Sequence, residues 1–238
     1  MIGAIVYPLV VLVWLGLALW GVRLYNRGRS LAAMLIILTA LVLALDALVI
    51  AIGRRSLEDV GWLIFLNQAR LWLRAAALPL LALAAFEMAR RGGVAWAGRR
   101  IARPLTWLAT AALAALGALT GPLRPLHPVC YAGTLRYAVA APAGQLCGSA
   151  DPVISGGWPV ALFLIALTAL ILGGFLWRAS RQPWLIIGGA GLALALLLPA
   201  AWGPLVGAAG EIWLVVSLLL AERALVRNLN LYDFHADG

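Results

Sequence analysis

The sequence predicts an all-α integral membrane protein, a seven-transmembrane-helix bundle with its N-terminus outside and its C-terminus in the cytoplasm. Of the 238 residues, 64% are hydrophobic and only 11% are charged, whereas soluble domains carry about 25% charged residues. The apolar runs are about 20 residues long and rich in Leu and Ala, which suits helices that cross a bilayer and exceeds the length of barrel strands. Arginines between these runs indicate the orientation.

Each predicted span is bounded by residues that begin or end helices. Ser30 can cap the second helix, and Pro104 and Pro183 suit the first turns of the fourth and sixth helices. A Pro-Ala-Ala-Trp-Gly-Pro break at 199–204 separates the last two spans. The seven-helix domain covers 1–223, followed by a short cytoplasmic tail at 224–238, and its predicted spans are 4–22, 31–52, 61–89, 104–121, 158–177, 183–202 and 206–223.

The distribution of arginine determines the predicted orientation. All 18 lysine-or-arginine positions are arginines. Twelve of them fall in connections on one side of the predicted bundle, four fall on the other side, and two lie within a helix. The arginine-rich side is expected to be cytoplasmic, in the inner or plasma membrane. Topology therefore explains the formal charge of +9 more simply than a nucleic-acid partner would, and the expected partner is the lipid bilayer.

The longest connection, 122–157, is then extracytoplasmic and contains both cysteines, Cys130 and Cys147. An oxidising compartment and an even count favour a disulfide, which would stabilise the loop by roughly 3 kcal/mol in the chain-entropy model. The alternative is a pair of free thiols. Mass spectrometry of alkylated, non-reduced protein distinguishes the two, because only free thiols would carry the label.

Polar side chains inside the spans are the candidate functional residues, because burying them in hydrocarbon is costly. Asp46 lies in the second helix, Glu211 in the seventh, and Asn67, Arg70 and Arg74 share one face of the third at spacings i, i+3 and i+7. Helix rise places this group about 8–14 Å below the outer surface. Trp72 and Trp213 lie at similar levels, where an interfacial aromatic belt is an equally good explanation.

Two interpretations of this cluster remain open. In one, it is an outward-facing pocket in which arginine anchors a small polar or anionic ligand. In the other, Arg70 forms a structural ion pair with Asp46 or Glu211 and fixes the packing of the helices. Glu87, followed by Arg90 and Arg91, predicts a local pair on one helix.

No motif specifies an enzyme, a metal site or a cofactor. The sequence contains no Walker loop, no HExxH and no GxSxG. The absence of lysine excludes a retinal Schiff base. Two cysteines without nearby histidine or carboxylate ligands make a poor metal site. We therefore expect no catalytic residues, no metal and no cofactor.

Three stretches resemble the seven-helix N-terminal sensor region of bacterial histidine kinases and diguanylate cyclases. They are RLYNRGRSLAAMLIILTALVLALDAL at 23–48, LNQARLWLRAAALPLLALAAFEMARRGG at 66–93, and the exit AERALVRNLNLYDF at 221–234. The resemblance implies a sensor module whose last helix leads towards a signalling element. The chain contains no kinase, cyclase or PAS domain, so a signalling partner is implied.

Four functions are consistent with these observations. The first is a receptor-like or sensor-like module without enzymatic output of its own. The second is an accessory or structural subunit of a larger membrane complex, whose polar residues would contact other subunits. A small transporter built from two repeats is the third, and a membrane-embedded lipid enzyme is the fourth. Neighbouring genes for a detached kinase or for respiratory subunits would separate the first two.

Overall fold

The computed structural model describes residues 3–53, 60–131, 134–139, 160–198 and 204–236. These residues form helices and one small antiparallel hairpin. In chain order they are α1 (Gly3–Gly28), α2 (Leu31–Ile52), α3 (Val60–Ala77), α4 (Leu80–Arg91), α5 (Ala102–Thr120), β1 (His127–Tyr131), β2 (Thr134–Ala138), α6 (Val160–Ser180), α7 (Trp184–Leu197) and α8 (Pro204–Ala236).

The length and composition of the helices fit an integral membrane protein. In the described part of the chain, six helical segments are long and apolar enough to cross a bilayer, with α3 and α4 together forming one of 31 residues. The seventh apolar helix, α7, has 14 residues, or about 21 Å at the standard helical rise. The large apolar side chains exposed on the outside of the bundle, such as Leu12, Leu38 and Leu108, suit contact with lipid.

Local signals place several helix boundaries as predicted. Ser30 caps α2, since its side-chain oxygen accepts a hydrogen bond from the backbone N–H of Ala33. Pro183 lies at the N-cap of α7, and Pro104 falls within the first turn of α5, where a missing N–H is tolerated. The predicted sixth span, 183–202, extends past the end of α7, and residues 199–203 lie outside the described residues.

The predicted third span is broken at a proline. Pro79 has no N–H to donate, and the chain turns between Ala77 and Leu80. Leu81 donates to the carbonyl of Leu78 instead of continuing the α-helical pattern. The Thr39 hydroxyl of α2 lies 3.0 Å from the Ala77 carbonyl and 2.9 Å from the Leu35 carbonyl of its own helix, so its single proton is shared between the two. A side chain of the neighbouring helix therefore helps to satisfy a backbone group near the break.

Glycines let α6, α7 and α8 approach closely. A Cβ on Gly173 would lie 2.6 Å from the backbone nitrogen of Ile186, and one on Gly189 would lie 2.9 Å from the Ala166 carbonyl. Gly188 packs against Ser217 of α8. Gly174, by contrast, has open space where a Cβ would project. Small residues at the interface bring backbones together where the hydrophobic effect does not operate between helices.

The hairpin within the 122–157 connection was not predicted. Its register pairs Val129 with Arg136 and Cys130 with Leu135. The backbone carbonyl of Leu135 approaches Gly53 so closely that a side chain at this α2 C-cap would clash with it. The hairpin therefore packs directly on one end of the bundle, which we call the hairpin end. Cys147 lies outside the described residues, and its pairing with Cys130 stays a prediction.

Candidate functional site

Four charged side chains form an alternating chain at the hairpin end. Arg70 Nη1 lies 2.8 Å from Asp46 Oδ1, and Arg74 Nη1 lies 2.8 Å from Asp46 Oδ2. The second Nη of Arg74 pairs with Glu211 Oε1. Asp46 is thus bridged by two arginines from one face of α3, and Arg74 joins α2 to α8. Among these four charges the two signs balance, as buried ion pairs require.

Arg70 also holds the hairpin. Its Nε donates to Asn67 Oδ1 at 2.9 Å and its Nη2 donates to the carbonyl of Tyr137 at 3.1 Å. The same Asn67 oxygen accepts the backbone N–H of Tyr137 at 3.1 Å, while its Nδ2 donates to Leu63. Asn67 and Arg70 are both buried. These two residues therefore tie β2 to α3 and have little capacity left for a ligand.

A cavity of about 220 Å³ lies beside this charge chain. It is lined by α1, α2, α3, α8 and the hairpin, and its lining residues fall into two chemical sets. The charged residues, which we call the charged wall, are Asp46, Arg70, Arg74, Arg136 and Glu211, and the apolar and aromatic residues, which we call the apolar wall, are Tyr7, Val10, Trp14, Leu43, Ala47, Ile50, Leu71 and Ala208.

Arg136 is the cation that the charge chain does not neutralise. It reaches the cavity from β2, and within the described residues it makes no salt bridge. Its Nε is buried without a hydrogen-bond partner in the same part of the chain. Burial away from water disfavours its charged form and lowers the pKa of the Arg136 guanidinium below its usual value. An anion in the cavity would offset that cost.

The two candidate tryptophans lie elsewhere. Trp72 and Trp213 are 43% and 52% exposed on the outside of the bundle and do not line the cavity. Trp213 packs over Gly191 and donates from Nε1 to the Ile187 carbonyl at 3.0 Å. Their positions suit aromatic side chains at a membrane interface better than a ligand pocket.

A second charged group lies at the opposite end of the bundle. Glu222 of α8, with no exposed surface, accepts hydrogen bonds from Ser30 Oγ at 2.6 Å and from Arg91 Nη1 at 2.7 and 2.9 Å. Glu87 pairs with Arg90 at 2.8 Å and with Arg103 at 3.3 Å. Arg91 was predicted to pair locally with Glu87, but its partner is Glu222. Helix α8 is therefore held by a carboxylate at each end of the bundle.

Sequence reasoning named the four residues of the charge chain but not the two ion pairs of Arg74, and it missed Arg136, Tyr7 and Trp14. Arg136 was counted only as one of the few arginines on the outer side. That scarcity was the available signal, because an arginine on the arginine-poor side is not explained by topology. Tyr7 and Trp14 carry no such signal, since aromatic residues are common in spanning helices.

The side chains of this site can bind a ligand. Within the part of the chain that the structure describes, no group of three or more His, Cys, Asp or Glu side chains is placed to hold a metal ion. The site instead offers guanidinium donors, two carboxylates and an aromatic wall. Neither a protein-family model nor a curated protein matches the chain. Function must therefore be inferred from the site itself.

Proposed function

We propose that this chain is a receptor-like or sensor-like membrane module that binds a small anion at the hairpin end and has no enzymatic output of its own. The observation that carries the proposal is Arg136, a cation that has no counter-ion among the described residues and lies beside a cavity whose other four described charges are balanced. An unpaired charge that is partly withdrawn from water is costly to a fold, so its presence beside a cavity favours a bound partner of opposite sign.

The orientation in this proposal is N-terminus outside, C-terminus in the cytoplasm and cavity facing out, in the inner or plasma membrane. Twelve arginines lie towards the end of the bundle opposite the hairpin, in the connections, in the adjoining helical segments or in the extension of α8, and the positive-inside rule assigns that end to the cytoplasm. The Cys130–Cys147 disulfide belongs to the same proposal, since it would brace the hairpin that carries Arg136.

Helix α8 supports the sensor interpretation. Glu211 belongs to the charge chain beside the cavity, and Glu222 belongs to the second charged group at the opposite end of the bundle. The same helix continues to Ala236. The two carboxylates are 11 residues apart, about 16 Å along the helix axis and on nearly the same face. A change in the Arg74–Glu211 contact would therefore act on the element that leads to the C-terminal tail, where the sequence resembles a signalling-helix start.

Thermal unfolding of the full chain in detergent tests anion binding. The melting temperature is measured in sodium chloride, acetate, benzoate, succinate and phosphate at constant ionic strength, for the native chain, Arg136→Gln and Arg124→Gln. Arg124 is an exposed arginine outside the cavity, so its variant controls for loss of one charge. A ligand at ten times its Kd stabilises the native chain by about 1.4 kcal/mol.

We expect at least one anion to raise the melting temperature of the native chain and of Arg124→Gln, but not of Arg136→Gln. Equal responses of all three proteins to every anion would contradict the proposed function.

A further inference from the structure

The composition of the two cavity walls limits the class of anion that this cavity can take. On the proposed function, we infer that the ligand is a small monocarboxylate with a compact apolar or aromatic body. Its carboxylate would bind Arg136, and its body would lie against the face formed by Tyr7, Val10 and Trp14.

The net charge of the lining favours a single negative charge. Among the described residues that line the cavity, three arginines and two carboxylates leave one uncompensated positive charge, that of Arg136. A monoanion neutralises it, whereas a dianion would leave a net negative charge in a site removed from water. Phosphate monoesters at neutral pH are largely dianionic, and inorganic phosphate is a mixture of monoanion and dianion that has no apolar part. A planar carboxylate also matches the guanidinium fork, which can donate two parallel hydrogen bonds.

The apolar wall of the cavity favours a ligand with an apolar body. Tyr7, Val10 and Trp14 follow one another at spacings of three and four, so they present one face of α1. Tyr7 and Trp14 are almost fully buried in the bundle. Leu43, Ala47 and Ile50 are spaced four and three residues apart and likewise present one face of α2 to the cavity. An anion without an apolar part would leave this wall in contact only with water, whereas an apolar group gains from covering it.

The volume of the cavity limits the size of the ligand. About 220 Å³ is available, and a cavity of about 150 Å³ is known to accept benzene. A ring or a short branched chain with one carboxylate therefore fits, and a long acyl chain does not. Ala47 is a small residue of the apolar wall, so a larger side chain there would take up part of the cavity.

Isothermal titration of the full chain in detergent with sodium benzoate and with benzamide tests this inference. Benzamide has nearly the same shape but no charge. We expect benzoate to bind and benzamide, succinate and phosphate not to bind. Arg136→Gln should weaken benzoate binding by about tenfold or more, because a charge-assisted hydrogen bond is lost. Arg136→Lys should retain part of the affinity, and Arg124→Gln all of it.

Ala47→Leu separates the apolar body from the carboxylate. This variant should lose benzoate binding and keep Arg136-dependent binding of acetate, which needs no space at the apolar wall. Its melting temperature without ligand, and that of Arg136→Gln, show that the variants are folded.

Two results would overturn the inference in different ways. Arg136-dependent binding of succinate or phosphate, without binding of benzoate, would reject the monocarboxylate class and leave anion binding in place. Binding of benzamide as tight as that of benzoate would show that charge plays no part, and would count against the proposed function as well.

Discussion

At the scale of single residues, Arg70 and Arg74 show how two similar side chains on one helical face acquire different tasks. Arg70 uses its Nε and both terminal nitrogens on Asn67, Asp46 and the Tyr137 carbonyl. Arg74 contacts only carboxylates, and its side chain is 26% exposed whereas that of Arg70 is 6% exposed. Arg70 is thus a structural residue of the hairpin end, and Arg74 is the charged group better placed to respond to a ligand.

This difference predicts the outcome of double-mutant cycles. Arg70→Ala strands Asp46 beside a single arginine and undocks Tyr137, so we expect it to cost about 3–5 kcal/mol. The coupling energy of Arg70 with Asp46 should exceed that of Arg70 with Glu211, which it does not contact. Stability in detergent of the single and double alanine variants measures both couplings, with Arg223→Ala as an exposed-arginine control. Equal couplings to the two acids would refute the assignment of partners.

At the scale of elements, the break between α3 and α4 lies between the two charged clusters and closer to the hairpin end. Pro79 follows Arg74 by five residues and precedes Arg91 by twelve. The Leu81 N–H contacts the Leu78 carbonyl at the break, and the Thr39 hydroxyl contacts the Ala77 carbonyl that Leu81 would bond in an unbroken helix. The α3–α4 segment is therefore broken at a defined point, where a hydrogen bond connects it to α2. Helix α8, by contrast, passes both charged clusters without a break.

The hydrogen bond between Thr39 and the Ala77 carbonyl can be tested with Thr39→Val, a nearly isosteric change. It should destabilise the bundle by about 0.6–1.7 kcal/mol, the range for interhelical hydrogen bonds in membranes, because the Ala77 carbonyl loses this partner. Thr168→Val is the matched control, since the Thr168 hydroxyl bonds only the Leu164 carbonyl of its own helix. Unfolding in detergent measures both. Equal destabilisation by the two variants would show that the α2 contact contributes nothing at the break.

At the scale of the whole molecule, charged clusters lie at both ends of an apolar bundle. Asp46, Arg74 and Glu211 lie at the hairpin end, and Ser30, Arg91 and Glu222 at the other. The contacts of Gly188 with Ser217 and of Gly210 with Ala195 show that α7 runs antiparallel to α8 over this interval. Although α7 has only 14 residues, it runs alongside most of the part of α8 that lies between the two charged clusters.

The proposed topology, with the N-terminus outside and the C-terminus in the cytoplasm, rests on this arrangement and on the distribution of arginine, and it can be tested with fusions. A reporter active only in the cytoplasm should be active when fused after Asp237 or in the connection at Arg181, and silent within 132–145 or between Leu198 and Pro204. Reversed activities after Asp237 and within 132–145 would refute the orientation. An active fusion between Leu198 and Pro204 would refute the crossing by α7 and reduce the number of spans to six.

The amino-acid sequence by itself determined the helical class, most helix boundaries and the set of polar residues worth examining. These depend on local properties: apolar runs of bilayer length, the Ser30 cap, prolines at first turns and the spacing of Asn67, Arg70 and Arg74 on one face. Only the tertiary structure decided which charges pair, that a hairpin packs on the end of the bundle, and that Arg136 has no counter-ion among the described residues beside the cavity. Ion pairing and the docking of the hairpin join residues far apart in the chain, such as Arg74 with Glu211, Arg91 with Glu222 and Arg70 with Tyr137. Such choices depend on how the helices pack, and no local pattern encodes them.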